Sequence, residues 1–151
     1  MANKKISELT PKAAQLEDSD LIMISDYNGS TYDTKSVTGA DIRPYKTILF
    51  AITQVGTAAP TKDWSYETEV TQTFTFARSA AGEYTLTASS ALFTASKTFI
   101  NISLGASGTG TNIGAYRTST TVITFYTSDS TSGSPLDSLL DVAQLEIKII
   151  K

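Results

Sequence analysis

From Tyr45 onward, short runs of apolar and Thr residues alternate with turn residues, and no run has the length or periodicity of a long helix. Between Trp64 and Phe76, for example, Val70 and Phe74 fall on one face, and Thr residues occupy the other. A side-chain period of two is typical of strands with one buried face. Seven or eight such strands predict an all-β fold, an antiparallel β-sandwich of the jelly-roll or immunoglobulin-like (Ig-like) kind.

Turn signals set the bounds of the predicted strands. The runs predicted as strands are Tyr45–Val55, Trp64–Phe76, Tyr84–Leu86, Thr98–Leu104, Ile113–Arg117, Val122–Tyr126 and Leu145–Ile150. We expect a helical turn at Leu136–Val142. From strand periodicity, the core should include Phe74, Phe76, Phe99 and Phe125.

The first 44 residues differ in kind from the rest. Leu21–Tyr27 and Ser30–Val37 flank Asn28-Gly29, a pair that favours a two-residue β-hairpin turn. Because an isolated hairpin is marginal in water, these residues should become ordered only against a partner, which is another copy, another protein or the rest of this chain. We therefore divide the chain into an anchor segment, residues 1–44, and a β-sandwich knob, residues 45–151.

Composition removes several classes of function. The chain contains neither Cys nor His, so disulfides, thiolate nucleophiles and the commonest metal ligand are absent. A formal charge of −3 without a basic patch argues against nucleic acid as a partner. No apolar run has the length of a signal peptide or a membrane span, so we expect synthesis in a cytoplasm and no membrane partner.

No motif points to catalysis. The loop Gly105–Gly110 lacks the Lys of a phosphate-binding loop, and no helix follows it. The acidic groups at Glu67, Glu69 and Glu83 are typical of a solvated sheet face. We therefore expect no enzyme activity, no cofactor and no metal.

Exposed aromatic residues are the remaining candidates for ligand contact, because aromatic rings stack on the apolar faces of pyranose sugars. Trp usually lies half-buried in a strand for structural reasons alone. The candidates for glycan contact are Trp64, Tyr66, Tyr116 and Tyr126. They keep open an alternative function, that of a monomeric carbohydrate-binding module.

Three pieces of the anchor segment carry a resemblance. They are Lys5-Ile6-Ser7-Glu8-Leu9-Thr10-Pro11, Asp20-Leu21-Ile22-Met23-Ile24, and Tyr32-Asp33-Thr34-Lys35-Ser36-Val37-Thr38-Gly39-Ala40-Asp41-Ile42. Together they resemble the N-terminal segment of many tailed-bacteriophage fibre and appendage proteins. Met23 stands where Pro is common in that family and Ile42 where Leu is usual, and both substitutions keep an apolar residue.

The resemblance implies a structural virion protein without enzyme activity. It would be a head fibre, short tail fibre or capsid decoration protein, made in the host bacterial cytoplasm and assembled as a homotrimer. Its N-terminal segment would bind other virion proteins of the capsid or tail, and its knob would decorate the surface or contact a host glycan. The implied apolar anchor set is Ile6, Leu9, Leu21, Ile22, Ile24, Val37 and Ile42. The same residues would equally serve as a small satellite core packed on the chain's own β-domain.

Overall fold

A computed structural model describes residues 21–27, 29–38, 42, 44–105 and 110–151. The chain divides into two compact units, Met1–Arg43 and Pro44–Lys151.

The first unit contains the expected β-hairpin. Strand β1, Leu21–Tyr27, pairs antiparallel with β2, Tyr32–Thr38, in a register that runs from Leu21 opposite Thr38 to Tyr27 opposite Tyr32. Residues 28–31 therefore connect the strands, and the predicted two-residue turn is wrong by two residues. Gly29 adopts the expected left-handed conformation, with φ at 97°. The ladder closes at Tyr32 rather than at Ser30, which leaves the connection wider than a two-residue turn.

The second unit is a β-sandwich, which confirms the predicted fold class. Its strands are β3 (Tyr45–Thr53), β4 (Thr61–Glu67), β5 (Phe74–Ala80), β6 (Glu83–Ala88), β7 (Thr98–Ser103), β8 (Thr111–Arg117), β9 (Val122–Asp129) and β10 (Ala143–Ile150). They form two four-stranded antiparallel sheets, in the orders β4-β3-β10-β7 and β5-β6-β9-β8. This arrangement of four strands in each sheet differs from the four and three of an immunoglobulin constant-type domain.

The core lies between the two sheets. Alternate residues of β3 and β10 point inward, and Ile48, Phe50 and Ile147 are fully buried or nearly so. Phe50 contacts the edges of Phe74 and Phe76 with ring centroids 5.3 Å apart in both pairs. Edge-to-face contacts of this kind stabilise aromatic pairs beyond the burial of their area. The expectation that Phe74, Phe76 and Phe125 belong to the core is confirmed.

Three expectations from the sequence are wrong in detail. The run from Trp64 to Phe76 is two strands in different sheets, because the chain leaves the first sheet after Glu67 and Glu69 adopts a φ of 56°. Residues 136–142 form bends instead of a helical turn, since Ser138 and Val142 also have positive φ. Phe99 is 58% exposed and is not a core residue, because Ile100 and Ile102 fill the inward positions of β7.

Candidate functional site

The outer face of the sheet β4-β3-β10-β7 carries the knob's main group of exposed aromatic residues. The strand registers align Trp64, Ala51, Gln144 and Ser103 in one row across the four strands. The next row contains Tyr66, Leu49, Glu146 and Asn101. Since alternate residues of a strand share a face, all eight side chains lie on the side away from the core. We call this surface the outer face.

A groove of about 290 Å³ opens on the outer face beside Trp64, and we call it the Trp64 groove. Ala51 is the smallest side chain in its row, so a depression remains between the indole ring and Gln144. Trp64 itself is 56% exposed. Besides Trp64, the side chains along the groove are Leu49, Ala51, Asn101, Ser103, Gln144 and Glu146. The groove therefore combines one aromatic wall with amide, hydroxyl and carboxylate groups.

A β-bulge at the start of β4 sets the position of Trp64. Ala51 pairs with Trp64 while the neighbouring Ile52 pairs with Lys62, so Asp63 is the extra residue. The Asp63 carboxylate accepts a hydrogen bond of 2.7 Å from the Thr53 hydroxyl. Bulges redirect side chains locally, and this one lies directly beside the groove.

Charged residues border the groove on β10. The Lys148 ammonium lies 2.9 Å from the Glu146 carboxylate and 5.4 Å from the centre of the Tyr45 ring. Hydrogen bonding to Glu146 raises the pKa of Lys148. The ion pair engages one oxygen of the Glu146 carboxylate, and the side chains of Lys148 and Glu146 remain 38% and 34% exposed.

The structure separates the four aromatic candidates into two pairs. Trp64 and Tyr66 lie on β4, whereas Tyr116 and Tyr126 lie on the other sheet, on β8 and β9. Tyr126 has a structural role, because its ring covers Gly114 so closely that a Cβ atom there would lie 2.6 Å from the ring. A depression beside Tyr126 is lined by Ala81, Gly82, Glu83, Thr127, Ser128, Gly133 and Pro135, and it has no side-chain amide. The Trp64 groove is therefore the better candidate site.

Sequence reasoning found Trp64 but missed its partners across the sheet. Gln144 and Asn101 come from strands that are distant in sequence, and only the strand order brings them together. One signal was present, since Gln144, Glu146 and Lys148 occupy the positions of β10 that alternate with the buried ones. That alternation identifies the exposed side chains of β10, but it does not identify the strands that pair with β10.

A polar cluster at one end of the sandwich has a structural character. The Asp137 carboxylate accepts hydrogen bonds from Arg78 Nη2 at 2.7 Å, from the Gly82 amide at 3.0 Å and from the Tyr84 hydroxyl at 2.9 Å. Hydrogen bonding to Arg78 holds the pKa of Asp137 well below its usual range. Burial raises the pKa of Tyr84 to about 12. These groups satisfy one another and hold the segment that follows Pro135 against the sheets.

The carboxylates noted in the sequence do not assemble into one site. Glu67 and Glu83 belong to different sheets. The Glu69 carboxylate lies 2.6 Å from the Lys151 ammonium. Within the described ranges, no group of three or more acidic side chains is placed to hold a metal ion.

The described members of the anchor set lie on and after the hairpin. Ile22 and Val37 are partly buried and face each other across the ladder. Ile24 is 40% exposed and Ile42 is 50% exposed. Leu21 begins β1. Ile6 and Leu9 lie outside the described residues, as do positions 106–109 of the Gly-rich loop.

Comparisons with protein-family models, with curated proteins and with solved structures find no match for this chain. In the portion that the structure describes, no helix combines the length and the apolarity needed to cross a membrane.

Proposed function

We propose that the chain is a structural virion protein of a tailed bacteriophage, attached through its anchor segment and exposing its β-sandwich knob. The attachment partner is a capsid or tail protein, and the role involves no catalytic step, nucleic acid or membrane. The resemblance of residues 1–42 to fibre and appendage proteins motivates the proposal. The β1–β2 hairpin is the observation that carries it.

The hairpin requires contact with a further apolar surface to be stable. Two strands alone bury too little apolar area to be stable in water. Ile24 and Ile42 nevertheless keep 40% and 50% of their area exposed. Covering them with an apolar surface contributes about 25 cal/mol for each Å² removed from water. An attachment segment is expected to leave apolar side chains of this kind for its partner.

A homotrimer accounts for a second exposed surface. In the single chain, β7 is an edge strand, and Phe99 on it is 58% exposed. Unpaired edge strands promote association, and symmetric oligomers commonly cover them. We propose that the β7 edge contacts the neighbouring copy.

Light scattering on the purified chain tests the trimer. The expected mass is three times the chain mass of 16.1 kDa. Phe99→Asp should shift the mass toward one chain, because it places a charge in the contact. Val55→Asp is the matched control, since Val55 is 72% exposed in a loop of the same sandwich. A single-chain mass for the unchanged protein would contradict the trimer.

Incorporation into phage particles tests the attachment. Particles assembled with the Ile24→Asp chain should lack it, because a carboxylate replaces an apolar contact at the docking surface. Particles assembled with Val55→Asp should carry the normal amount, measured by quantitative mass spectrometry of purified virions. Equal incorporation of both variants would refute docking through the hairpin.

The alternative function is a monomeric carbohydrate-binding module, and the Trp64 groove favours it. This alternative predicts a single-chain mass and no association with particles. The two measurements above therefore separate the two functions.

A further inference from the structure

We propose that the Trp64 groove binds one pyranose ring of a glycan, with the sugar stacked on the indole of Trp64. The site belongs to the sandwich alone and does not depend on whether residues 1–42 attach the chain to a virion. Neither virion attachment nor trimer formation requires such a groove.

The aromatic wall suits the apolar face of a sugar. A pyranose presents C–H groups on its faces and hydroxyl groups around its rim. Trp64 offers a broad apolar ring that is 56% exposed. Ala51, its neighbour across the ladder, is too small to fill the space next to the ring. A flat ligand can therefore lie between the indole and β10.

The opposite side of the groove suits the hydroxyl rim. Gln144 and Asn101 carry amides that donate and accept hydrogen bonds at once, as each sugar hydroxyl also does. In the described part of the chain, no hydrogen bond within the molecule engages the side chains of Gln144, Asn101 or Ser103. Glu146 adds a carboxylate acceptor, one oxygen of which is paired with Lys148. The donors and acceptors are thus available to a ligand.

The size of the groove suits one sugar ring. Its volume of about 290 Å³ lies just below the roughly 300–1,000 Å³ that is usual for ligand pockets. A ligand held by one ring face and a few hydrogen bonds should bind in the millimolar range.

A second copy of this chain is the competing occupant of the Trp64 groove. An apolar partner surface would leave the amides of Gln144 and Asn101 without hydrogen bonds, which is unfavourable when they are buried. The mixed lining therefore favours the sugar.

The chain contains a single Trp, so its fluorescence reports directly on the groove. The full chain is titrated with methyl glycosides of glucose, galactose, mannose and N-acetylglucosamine up to high millimolar concentration. At least one glycoside should produce a saturable change in emission. No saturable change with any of the four would overturn the inference.

Two variants that retain Trp64 locate the binding. Gln144→Ala should weaken the affinity about five- to tenfold, as expected for the loss of one or two hydrogen bonds. Tyr116→Ala is the matched control, because Tyr116 is 52% exposed on the opposite sheet, and the affinity should stay unchanged. Equal effects of the two substitutions would overturn the site. The site would also be overturned if the Trp64 emission changed with protein concentration alone, in parallel with the molecular mass. A second copy of the chain would then occupy the Trp64 groove.

Discussion

Replacing Asp137 by Asn should destabilise the sandwich far more than the same change at an exposed aspartate. The Asp137 carboxylate accepts from Arg78 Nε at 3.0 Å and from Nη2 at 2.7 Å, besides the Gly82 amide and the Tyr84 hydroxyl. An Asn side chain keeps one acceptor oxygen but turns an NH₂ group toward donors of the guanidinium. The change therefore removes the charge and at least one of the paired bonds.

The magnitude follows from the kind of bond that is lost. Hydrogen bonds to charged groups contribute about 1.5–3 kcal/mol each, and the side chains of Arg78 and Asp137 are mostly shielded from water. We expect Asp137→Asn to lower the free energy of unfolding by about 2–3 kcal/mol and Tm by on the order of 10 °C. Urea denaturation followed by circular dichroism measures the first quantity, and thermal denaturation measures the second.

Asp63→Asn is the matched control. Asp63 accepts one exposed hydrogen bond, from Thr53, and an Asn oxygen can still accept it. Asp63→Asn should therefore lower the free energy of unfolding by less than about 1 kcal/mol. Similar losses for the two variants would refute the view that the Asp137 cluster holds this end of the sandwich.

Acid provides a further check on Asp137. Because folding lowers the pKa of Asp137, the contribution of its carboxylate to the free energy of unfolding is complete above the unfolded pKa of about 3.9. That contribution is lost as the pH falls toward the pKa of the folded state. The Asn variant has no group to titrate there. The stability difference between the two proteins should therefore be constant near neutral pH and shrink below about pH 4. A difference that stays constant down to pH 2 would contradict the depressed pKa.

Other substitutions give simpler outcomes. Phe50→Ala should cost about 3–5 kcal/mol in urea denaturation, because it opens a cavity beside Phe74 and Phe76. Gly82→Ala should lower the free energy of unfolding more than Gly133→Ala, although both glycines have positive φ. A Cβ atom at Gly82 would lie 2.6 Å from the Leu136 amide nitrogen, whereas no atom lies within 4 Å of a Cβ at Gly133. Burial raises the pKa of Tyr84 to about 12, so the folded protein favours the neutral phenol. The free energy of unfolding of the wild type should therefore fall between about pH 10 and 12, and Tyr84→Phe should remove this loss.

Sequence periodicity predicted the sandwich because most strands bury one face. Leu145, Ile147 and Ile149 alternate in the sequence, and all three are buried in the core. The same rule failed at Glu69, where one residue with positive φ moves the chain from one sheet to the other without breaking the apolar pattern. Periodicity describes which face a side chain takes, but not where the sheet ends.

The candidate site was predictable only in part. Trp64 stands out in the sequence as the sole Trp. Its partners Gln144 and Ser103 depend on the strand order, in which β10 lies between β3 and β7. Phe99 was misassigned because strand periodicity gives two alternating faces without saying which one is buried, and the inward positions of β7 hold Ile100 and Ile102. Strand order requires long-range pairing information that local patterns do not contain.

Attachment of this chain to a virion through residues 1–42 is best tested by cryo-electron microscopy of purified particles that carry the chain. We expect density for the β1–β2 hairpin, with Ile24 and Ile42 covered by a capsid or tail protein, and density for three sandwiches around one axis. Particles without this density, together with unattached chain in the same preparation, would refute the proposed attachment.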